Sequence, residues 1–287
     1  MELWFSELHT PNVKLSIKVD RQLCGVESGF QRIDVFDSPE FGRFLTLDGY
    51  MMLTEKDEFI YHEMMAHVPM AVHPSVRNVL VIGAGDGGVV RELVKYPEVE
   101  RIDLVEIDEQ VVTVCRQYLP KVSCGLEDGR VRIFYEDGMK FVRRKADEYD
   151  LIIVDSTDPF GPGEALFTKE FYGNCYKALR EDGIMVNQHE SPFYEADAKA
   201  CMRAHKRIVE SFPISRVYQA HIPTYPSGHW LFGFASRRYH PVHDLSAERW
   251  LERGIETRYY TPKLHMGAFC LPAYVEKLLR QVEIHEA

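Results

Sequence analysis

The sequence lacks the features of a secreted, membrane-spanning or zinc-binding protein. Its six cysteines form no C-x-x-C pair and no zinc-type spacing, which favours reduced structural thiols. No apolar run approaches the ~20 residues needed to span a bilayer. The N-terminus MELWFSELHTP has no basic segment followed by an apolar one, as a signal peptide would. Repeats and low-complexity segments are absent as well. We therefore expect a cytoplasmic globular protein.

Positive charge is also scarce. The chain of 287 residues has 44 acidic against 34 basic side chains, a formal net charge of −10. This balance disfavours nucleic acid or an anionic membrane as the main partner and suits a cationic small molecule better. The length allows one large domain, or one domain with a small appendage.

The first part of the chain has the pattern of half-buried antiparallel strands. Polar and apolar residues alternate in KLSIKV, QRIDVF and RFLTL, and Asp48-Gly49 is a tight-turn signal before YMMLT. Thr54 and Asp57 resemble a capping box that opens a helix, with Ile60, Met64 and Val68 on one face and Pro69 and Pro74 closing the segment. We expect an N-terminal β-domain over residues 1–56 and a second domain over 57–287.

From residue 78 the pattern changes to alternating strands and helices. Apolar runs occur at NVLVIG, RIDLVEID, VRIFYED, YDLIIVDS and GIMVNQ, separated by segments of helical length. This alternation predicts an α/β fold with a mostly parallel sheet covered by helices. SRVYQAHI and HWLFGFAS are separated only by PTYPSG, too short for a helical crossover. They should form an antiparallel hairpin at the edge of the sheet.

The stretch VLVIGAGDGG resembles a nucleotide-binding glycine loop, with Gly83, Gly85 and Gly88 at G-x-G-x-x-G spacing. Asp86 lies inside this loop, where it would repel a pyrophosphate. Two like charges ~4 Å apart cost about 4 kcal/mol at an effective dielectric constant of 20. The loop therefore suits an amine better than a phosphate, which disfavours a nicotinamide cofactor.

Acidic residues follow four consecutive strands of the predicted sheet. A single acid there is commonly a helix N-cap, but in open α/β sheets ligands bind beyond the carboxyl ends of the strands. Glu106 lies where nucleotide folds keep an acid for ribose hydroxyls. The Pro/Gly-rich segment from Asp158 to Leu166 suits a gate over an amine-binding site. The strand-end acids are Asp86, Glu106, Asp108, Asp137, Asp155 and Asp158.

The stretch HEMMAH suggests a metalloprotease at first sight. Its spacing is H-E-x-x-x-H, so His62 and His67 stand about 140° apart around a helix and not on one face. We therefore predict no zinc site here.

Taken together, these stretches resemble the spermidine synthases, or polyamine aminopropyltransferases, over nearly the whole chain. The matching stretches are LDGYMMLTEKDEFIYHEMMAHVP, VLVIGAGDGGVVRELVKYPEVE, EIDEQVV, DGMKFV, VDSTDPFGPGEALF and PTYPSG. The resemblance implies a small N-terminal antiparallel β-domain on a methyltransferase-like (Rossmann-like) domain, assembled as a homodimer or homotetramer. It also implies transfer of the aminopropyl group of decarboxylated S-adenosylmethionine to putrescine, giving spermidine and methylthioadenosine.

The resemblance also implies roles for individual residues. Asp155 would be the catalytic base, and Asp86 would bind the amine of the aminopropyl arm. The donor is a co-substrate, and no cofactor or metal is expected. Gln188 and Glu190 follow the fifth strand and are expected to line the acceptor side. Two positions depart from common family patterns, Ala84 in the glycine loop and Met52 near the expected acceptor pocket. The methylthioadenosine portion would be held by Gln31, Glu106, Asp137, Gly138 and Pro162, and the acceptor amine would be surrounded by Tyr61, His62, Asp158 and Tyr225.

The chemistry supports the resemblance and leaves alternatives open. Amines of putrescine have pKa values near that of lysine, about 10, so the attacking nitrogen arrives protonated and needs a base. An S-adenosylmethionine-dependent methyltransferase shares the α/β core, but Asp86 and Asp155 would repel the carboxylate of its donor. A polyamine- or nucleoside-binding sensor is a second alternative. The acceptor could also be agmatine, cadaverine or spermidine.

Overall fold

The computed structural model describes residues 2–156 and 166–283. Asp158, Pro162 and most of the predicted gate lie outside the described residues. Two antiparallel sheets open the chain, and the predicted N-terminal strands are confirmed. The strands β1 and β3 had not been predicted. One sheet pairs β1 (Leu3–Thr10) with β2 (Val13–Val19), and the other orders β3 (Arg21–Glu27), β4 (Arg32–Ser38), β5 (Gly42–Leu47) and β6 (Tyr50–Thr54).

A seven-stranded sheet forms the centre of the molecule, in the order β12-β13-β11-β10-β7-β8-β9. The five strands predicted to be parallel are parallel. β13 runs antiparallel between β11 and β12, so the predicted edge hairpin is confirmed. The strands are β7 (Asn78–Gly83), β8 (Arg101–Glu106), β9 (Val131–Tyr135), β10 (Tyr149–Asp155), β11 (Leu179–Glu190), β12 (Ile214–His221) and β13 (His229–Ser236).

Helices cover both faces of this sheet and bury its apolar side chains in two clusters. Asp108, Asp137 and Thr168 each accept backbone N–H bonds at the start of a helix, as N-caps do. The helices are α1 (Glu58–Val72), α2 (Gly88–Leu93), α3 (Glu109–Tyr118), α4 (Pro120–Ser123), α5 (Gly138–Arg143), α6 (Lys169–Ala178), α7 (Glu195–Val209), α8 (Ala247–Glu252), α9 (Pro262–Ala268) and α10 (Ala273–Glu283).

The first helix begins at a different N-cap from the predicted one and ends between Pro69 and Pro74, the two prolines predicted to close the segment. Asp57, and not Thr54, is its N-cap, although the Thr54 hydroxyl donates to Asp57 Oδ1 at 2.6 Å. The helix also continues past Pro69 to Val72, because the Pro69 carbonyl still accepts a bond from His73 N at 2.9 Å. Pro69 lacks its own N–H but blocks neither neighbour from bonding.

α1 is buried around nearly its whole circumference. The predicted apolar face of Ile60, Met64 and Val68 is buried, but so are the charged and polar residues Glu58, His62, Glu63 and His67. A helix buried all round and carrying charges needs a partner for each of them.

No helix among the described residues is long and apolar enough to cross a membrane.

Candidate active site

A pocket opens at the carboxyl ends of β7, β8 and β10, where the sheet topology places ligands. Asp155 lies beside Gly83 in the register of β10 and β7, so two strand ends from distant parts of the sequence meet here. Gln188 and Glu190, predicted on the acceptor side, also line this pocket. Of the predicted site residues, the pocket brings together Gln31, Tyr61, His62, Asp86, Glu106, Asp137, Gly138, Asp155 and Tyr225.

The glycine loop lets β7 and β10 approach closely at the pocket floor. Gly83 has a φ of 83°, and a Cβ atom there would overlap the backbone carbonyl of Asp155. That carbonyl accepts a bond from Ala84 N at 3.0 Å. Ala84 itself has a φ of 59°, a left-handed conformation that costs a non-glycine residue roughly 1–2 kcal/mol. The turn is therefore kept in spite of the alanine, at a cost in strain.

Asp86 is held in the loop by one hydrogen bond and one ion pair. Its Oδ1 accepts a hydrogen bond from Gly88 N at 2.7 Å and lies 3.3 Å from His62 Nε2. Burial acts to raise the pKa of Asp86, but the charge and hydrogen bond of His62, together with the Gly88 N–H, outweigh it and leave the pKa below its usual value. Asp86 is thus an ionised carboxylate facing the pocket, suited to an ammonium group.

Asp155 ends β10, and its pKa is shifted in the opposite direction to that of Asp86. Burial and repulsion by Asp86 raise its pKa to about 7, against the opposing effects of His62 and of the Tyr61 hydroxyl. That hydroxyl donates to Asp155 Oδ1 at 2.6 Å. A carboxylate with a pKa near neutrality can accept a proton from an attacking nucleophile and release it afterwards. The predicted base therefore has suitable chemistry.

Acidic residues also line the side of the pocket beyond β8 and β9. Burial raises the pKa of Glu106 to about 7, although the backbone N–H groups of Asp108, Ile107 and Gly85 act against this. Gln31, between β3 and β4, donates to Asp108 Oδ2 at 3.0 Å. The N-terminal sheets therefore supply a wall of the same pocket.

The opposite side combines aromatic rings with carboxylates. The Tyr225 hydroxyl donates to the Met52 carbonyl at 2.6 Å, and its ring lies 4.8 Å from Trp230 and 6.0 Å from Tyr61. Glu190 has a φ of 71° at an irregularity of β11. The side-chain amide of Gln188 stabilises this conformation, because it donates a hydrogen bond to Glu190 Oε1 at 3.1 Å and accepts one from Glu190 N at 3.0 Å.

Sequence reasoning missed several residues of the pocket. Glu7 and His9 of β1 line it. Glu7 is buried and accepts a bond from Met51 N at 2.8 Å, and His9 Nε2 lies 3.0 Å from Asp197 Oδ2 of α7. Leu3, Trp4 and Leu8 of β1 are exposed whereas Glu7 is buried, so no local hydrophobic pattern marks this strand or its position at the pocket.

A group of three side chains could suggest a metal site. Ligand atoms of His62, Asp86 and Asp155 lie within 4.8 Å of one another. Both ring nitrogens of His62 face carboxylates, however, Asp86 on one side and Glu58 on the other. A carboxylate beside each nitrogen favours the imidazolium form of the ring, which has no lone pair for a metal. His67 contacts Glu92 and Tyr96 instead, so the two histidines of HEMMAH serve separate clusters.

Comparison with known proteins agrees with this geometry. The spermine/spermidine synthase domain matches residues 58–245, and the spermidine synthase tetramerisation domain matches residues 3–55. Relatives named polyamine aminopropyltransferase from Clostridium beijerinckii and Alkaliphilus oremlandii are each 67% identical to this chain. They cover 97% and 99% of it, and the matches span 98% and 100% of their own lengths.

Solved structures give the same result. A spermidine synthase in complex with the transition state analogue AdoDATO superposes with a TM-score of 0.95 and 45% identity, over 97% of this chain and 95% of its own. The spermidine synthase from Thermotoga maritima superposes with a TM-score of 0.91 and 43% identity, over 97% and 94%. The fold expected from the sequence is thereby confirmed. This chain is an enzyme of the spermine/spermidine synthase family, the polyamine aminopropyltransferases.

Proposed function

We propose that this enzyme transfers the aminopropyl group of decarboxylated S-adenosylmethionine to putrescine, giving spermidine and methylthioadenosine, with Asp155 as the base. The observation that supports the proposal best is the pair of half-buried carboxylates Asp86 and Asp155, which face one pocket with opposite shifts in pKa. One suits a permanent ammonium partner, and the other suits proton transfer.

The reaction needs one bond made and one broken. The acceptor nitrogen attacks the propyl carbon attached to the donor sulfonium, the carbon–sulfur bond breaks, and its electron pair stays on the sulfur of methylthioadenosine. The proton that the nitrogen loses passes to Asp155. Since the leaving group is a neutral thioether, the chain has to bind, align and exclude water. Gln31, Glu106 and Asp137 would hold the adenosine portion.

The choice of a diamine acceptor rests on the far side of the pocket. Glu7 and Glu190 line the pocket that also contains Asp155. A putrescine molecule that presents one amine to Asp155 could place its second ammonium near these carboxylates, with its methylene chain against Tyr61, Tyr225 and Trp230. Asp86 and Asp155 disfavour the methyltransferase alternative, because both would repel the carboxylate of S-adenosylmethionine.

An acceptor panel tests the proposal. The purified enzyme would be given decarboxylated S-adenosylmethionine with putrescine, cadaverine, agmatine or spermidine, and methylthioadenosine would be quantified by chromatography. We expect the highest kcat/KM with putrescine. A higher kcat/KM with another acceptor would identify that acceptor, and not putrescine, as the substrate. Methyl transfer from S-adenosylmethionine, or ligand binding without turnover, would overturn the proposed reaction.

We also propose that the chain forms a homodimer or homotetramer through its N-terminal strands. Leu3, Trp4 and Leu8 of β1 are exposed apolar residues, Trp4 at 55% and Leu8 at 64%, and they lie in the segment that matches the tetramerisation domain. Large apolar side chains left exposed on a strand favour a protein interface. Light scattering coupled to size-exclusion chromatography would give the mass, and a monomer would contradict the proposal. The cytoplasmic location stays a prediction.

A further inference from the structure

A row of alternating charges leads from the pocket to an open cleft on the other side of α1. His62 Nε2 lies 3.3 Å from Asp86 Oδ1, and His62 Nδ1 lies 2.6 Å from Glu58 Oε2. Arg91 contacts both oxygens of Glu58 at 3.0 and 2.9 Å. Glu58 and Arg91 line the open cleft, whereas His62 and Asp86 line the pocket. The row therefore connects the pocket with the open cleft through side chains of α1 and α2.

The surroundings of His62 favour a positive charge on the ring. The ring is fully buried, and a neutral imidazole could donate from only one of its two nitrogens. Burial acts to lower the pKa of His62, but Asp86 and Glu58 outweigh this and raise it to about 10. The groups that face the ring are Glu58 and Tyr61 from α1, Asp86 and Arg91 from the loop and helix after β7, and Asp155 from β10.

Glu58 is held in place by more than one contact. It is buried, and the fork of Arg91 binds its two oxygens in the two-point geometry that fixes a carboxylate most firmly. Arg91 Nε donates in turn to Glu92 at 3.0 Å. On the other side, a Cβ atom at Gly88 would overlap the His62 ring, so the ring lies directly on the backbone beside Asp86. Glu58 holds the ring nitrogen that faces away from Asp86.

We infer that Glu58, braced by Arg91, is a positioning residue for aminopropyl transfer, which fixes His62 as the cation facing Asp86. The inference rests on the proposed function for the role of Asp86 toward the donor amine. Through His62, Glu58 keeps Asp86 ionised and aligned. The cation at His62 also offsets part of the repulsion between Asp86 and Asp155, because ligand atoms of all three side chains lie within 4.8 Å of one another.

The test compares Glu58→Gln with Glu63→Gln. Both substitutions remove a buried carboxylate from α1, but Glu63 accepts bonds from the backbone of Arg258, Tyr259 and Tyr260 and serves as the control. Ring ¹⁵N spectra of His62 would be recorded against pH, together with kcat and the affinity for methylthioadenosine. For Glu58→Gln we expect His62 to lose its proton at least about one pH unit lower and kcat to fall about tenfold or more. Affinity for the uncharged methylthioadenosine should stay within about twofold, because that ligand carries no ammonium group for Asp86.

Three outcomes would overturn the inference. One is a wild-type His62 that titrates near 6.5, like a free imidazole. Another is a His62 titration that Glu58→Gln leaves unchanged, and the third is a lowered titration with wild-type kcat. If Glu58→Gln does not fold, Arg91→Lys keeps the charge but loses the two-point fork, and it should shift His62 in the same direction by less. The spectra need no turnover, so failure of the proposed reaction would leave the His62 result readable by itself.

Discussion

The contact between Tyr61 and Asp155 offers a sharp test of the base. The Tyr61 hydroxyl donates to the Asp155 carboxylate at 2.6 Å and is one of two groups that hold the pKa of Asp155 down. Tyr61→Phe removes this oxygen and leaves the ring. The ionised form of Asp155 loses a donor, so its pKa must rise above about 7. A base with a higher pKa is protonated over more of the pH range, so the acid limb of kcat/KM should move to higher pH.

The size of the shift follows from the strength of the bond. A hydrogen bond to a charged group is worth about 1.5–3 kcal/mol, and one pKa unit corresponds to about 1.4 kcal/mol. We therefore expect the limb to move up by about one to two pH units. With a one-unit shift, the ionised fraction of Asp155 at pH 7 falls from about half to about a tenth, so kcat/KM falls about fivefold there. Near pH 9 the two enzymes should differ much less.

The assay is the pH profile of kcat/KM for the donor, from about pH 5.5 to 9.5. Tyr149→Phe is the matched control, because Tyr149 also donates to a buried carboxylate, Asp103 Oδ2 at 2.8 Å, but outside the pocket. It should lower stability and leave the limb in place. If the acid limb of the Tyr61→Phe variant is unchanged or moves to lower pH, Asp155 is not the group that titrates in this profile.

The remaining predictions concern Asp155, Asp86 and Gly88, whose backbone lies against the His62 ring. Asp155→Asn should lower kcat about 10²–10⁴-fold while calorimetry finds the affinity for methylthioadenosine unchanged; a folded variant with near wild-type kcat at pH 7 would move the role of base elsewhere. Asp86→Asn should narrow the preference for the decarboxylated donor over S-adenosylmethionine, which a repulsion of about 4 kcal/mol could raise to about a thousandfold; equal affinities for both donors in the wild type would contradict this. Gly88→Ala should displace the His62 ring, which its Cβ would overlap, and lower activity at an unchanged circular dichroism spectrum; full activity would show that the ring can move.

The fold after residue 78 could be predicted from the sequence because its strands are buried on both faces. A continuous apolar run such as LIIV in β10 is typical of a parallel strand covered on both faces, and all four residues are buried. The strands β1 and β3 were missed for the opposite reason. Most of their residues are exposed or half-buried, so little hydrophobic contrast marks them. The helix α1 ends at Val72, between the two prolines predicted to close the segment, and Pro69 lies inside its last turn.

Some residues of the candidate site could be predicted from the sequence, and others could not. Asp86, Glu106 and Asp155 could be placed together because parallel strands present their carboxyl ends at one edge, whatever the packing around them. Glu7 and Arg91 could not be placed, since each reaches its position through tertiary packing of distant elements. One local signal was available. Glu58 and His62 are four residues apart, the spacing at which helical side chains meet.

The charges buried on α1 are hard to explain by stability. Desolvating an ion pair costs about as much as its attraction returns, and apolar residues of the same size often stabilise a fold equally well. Yet α1 buries Glu58 against Arg91, His62 against Asp86, and Glu63 against three backbone N–H groups. What such contacts provide, and apolar packing does not, is a fixed direction for each charge. Tyr61 and His62 are adjacent on this helix and contact Asp155 and Asp86 respectively. A displacement of α1 would therefore change both carboxylates at once, and the rigid charged surroundings of the helix oppose such a displacement.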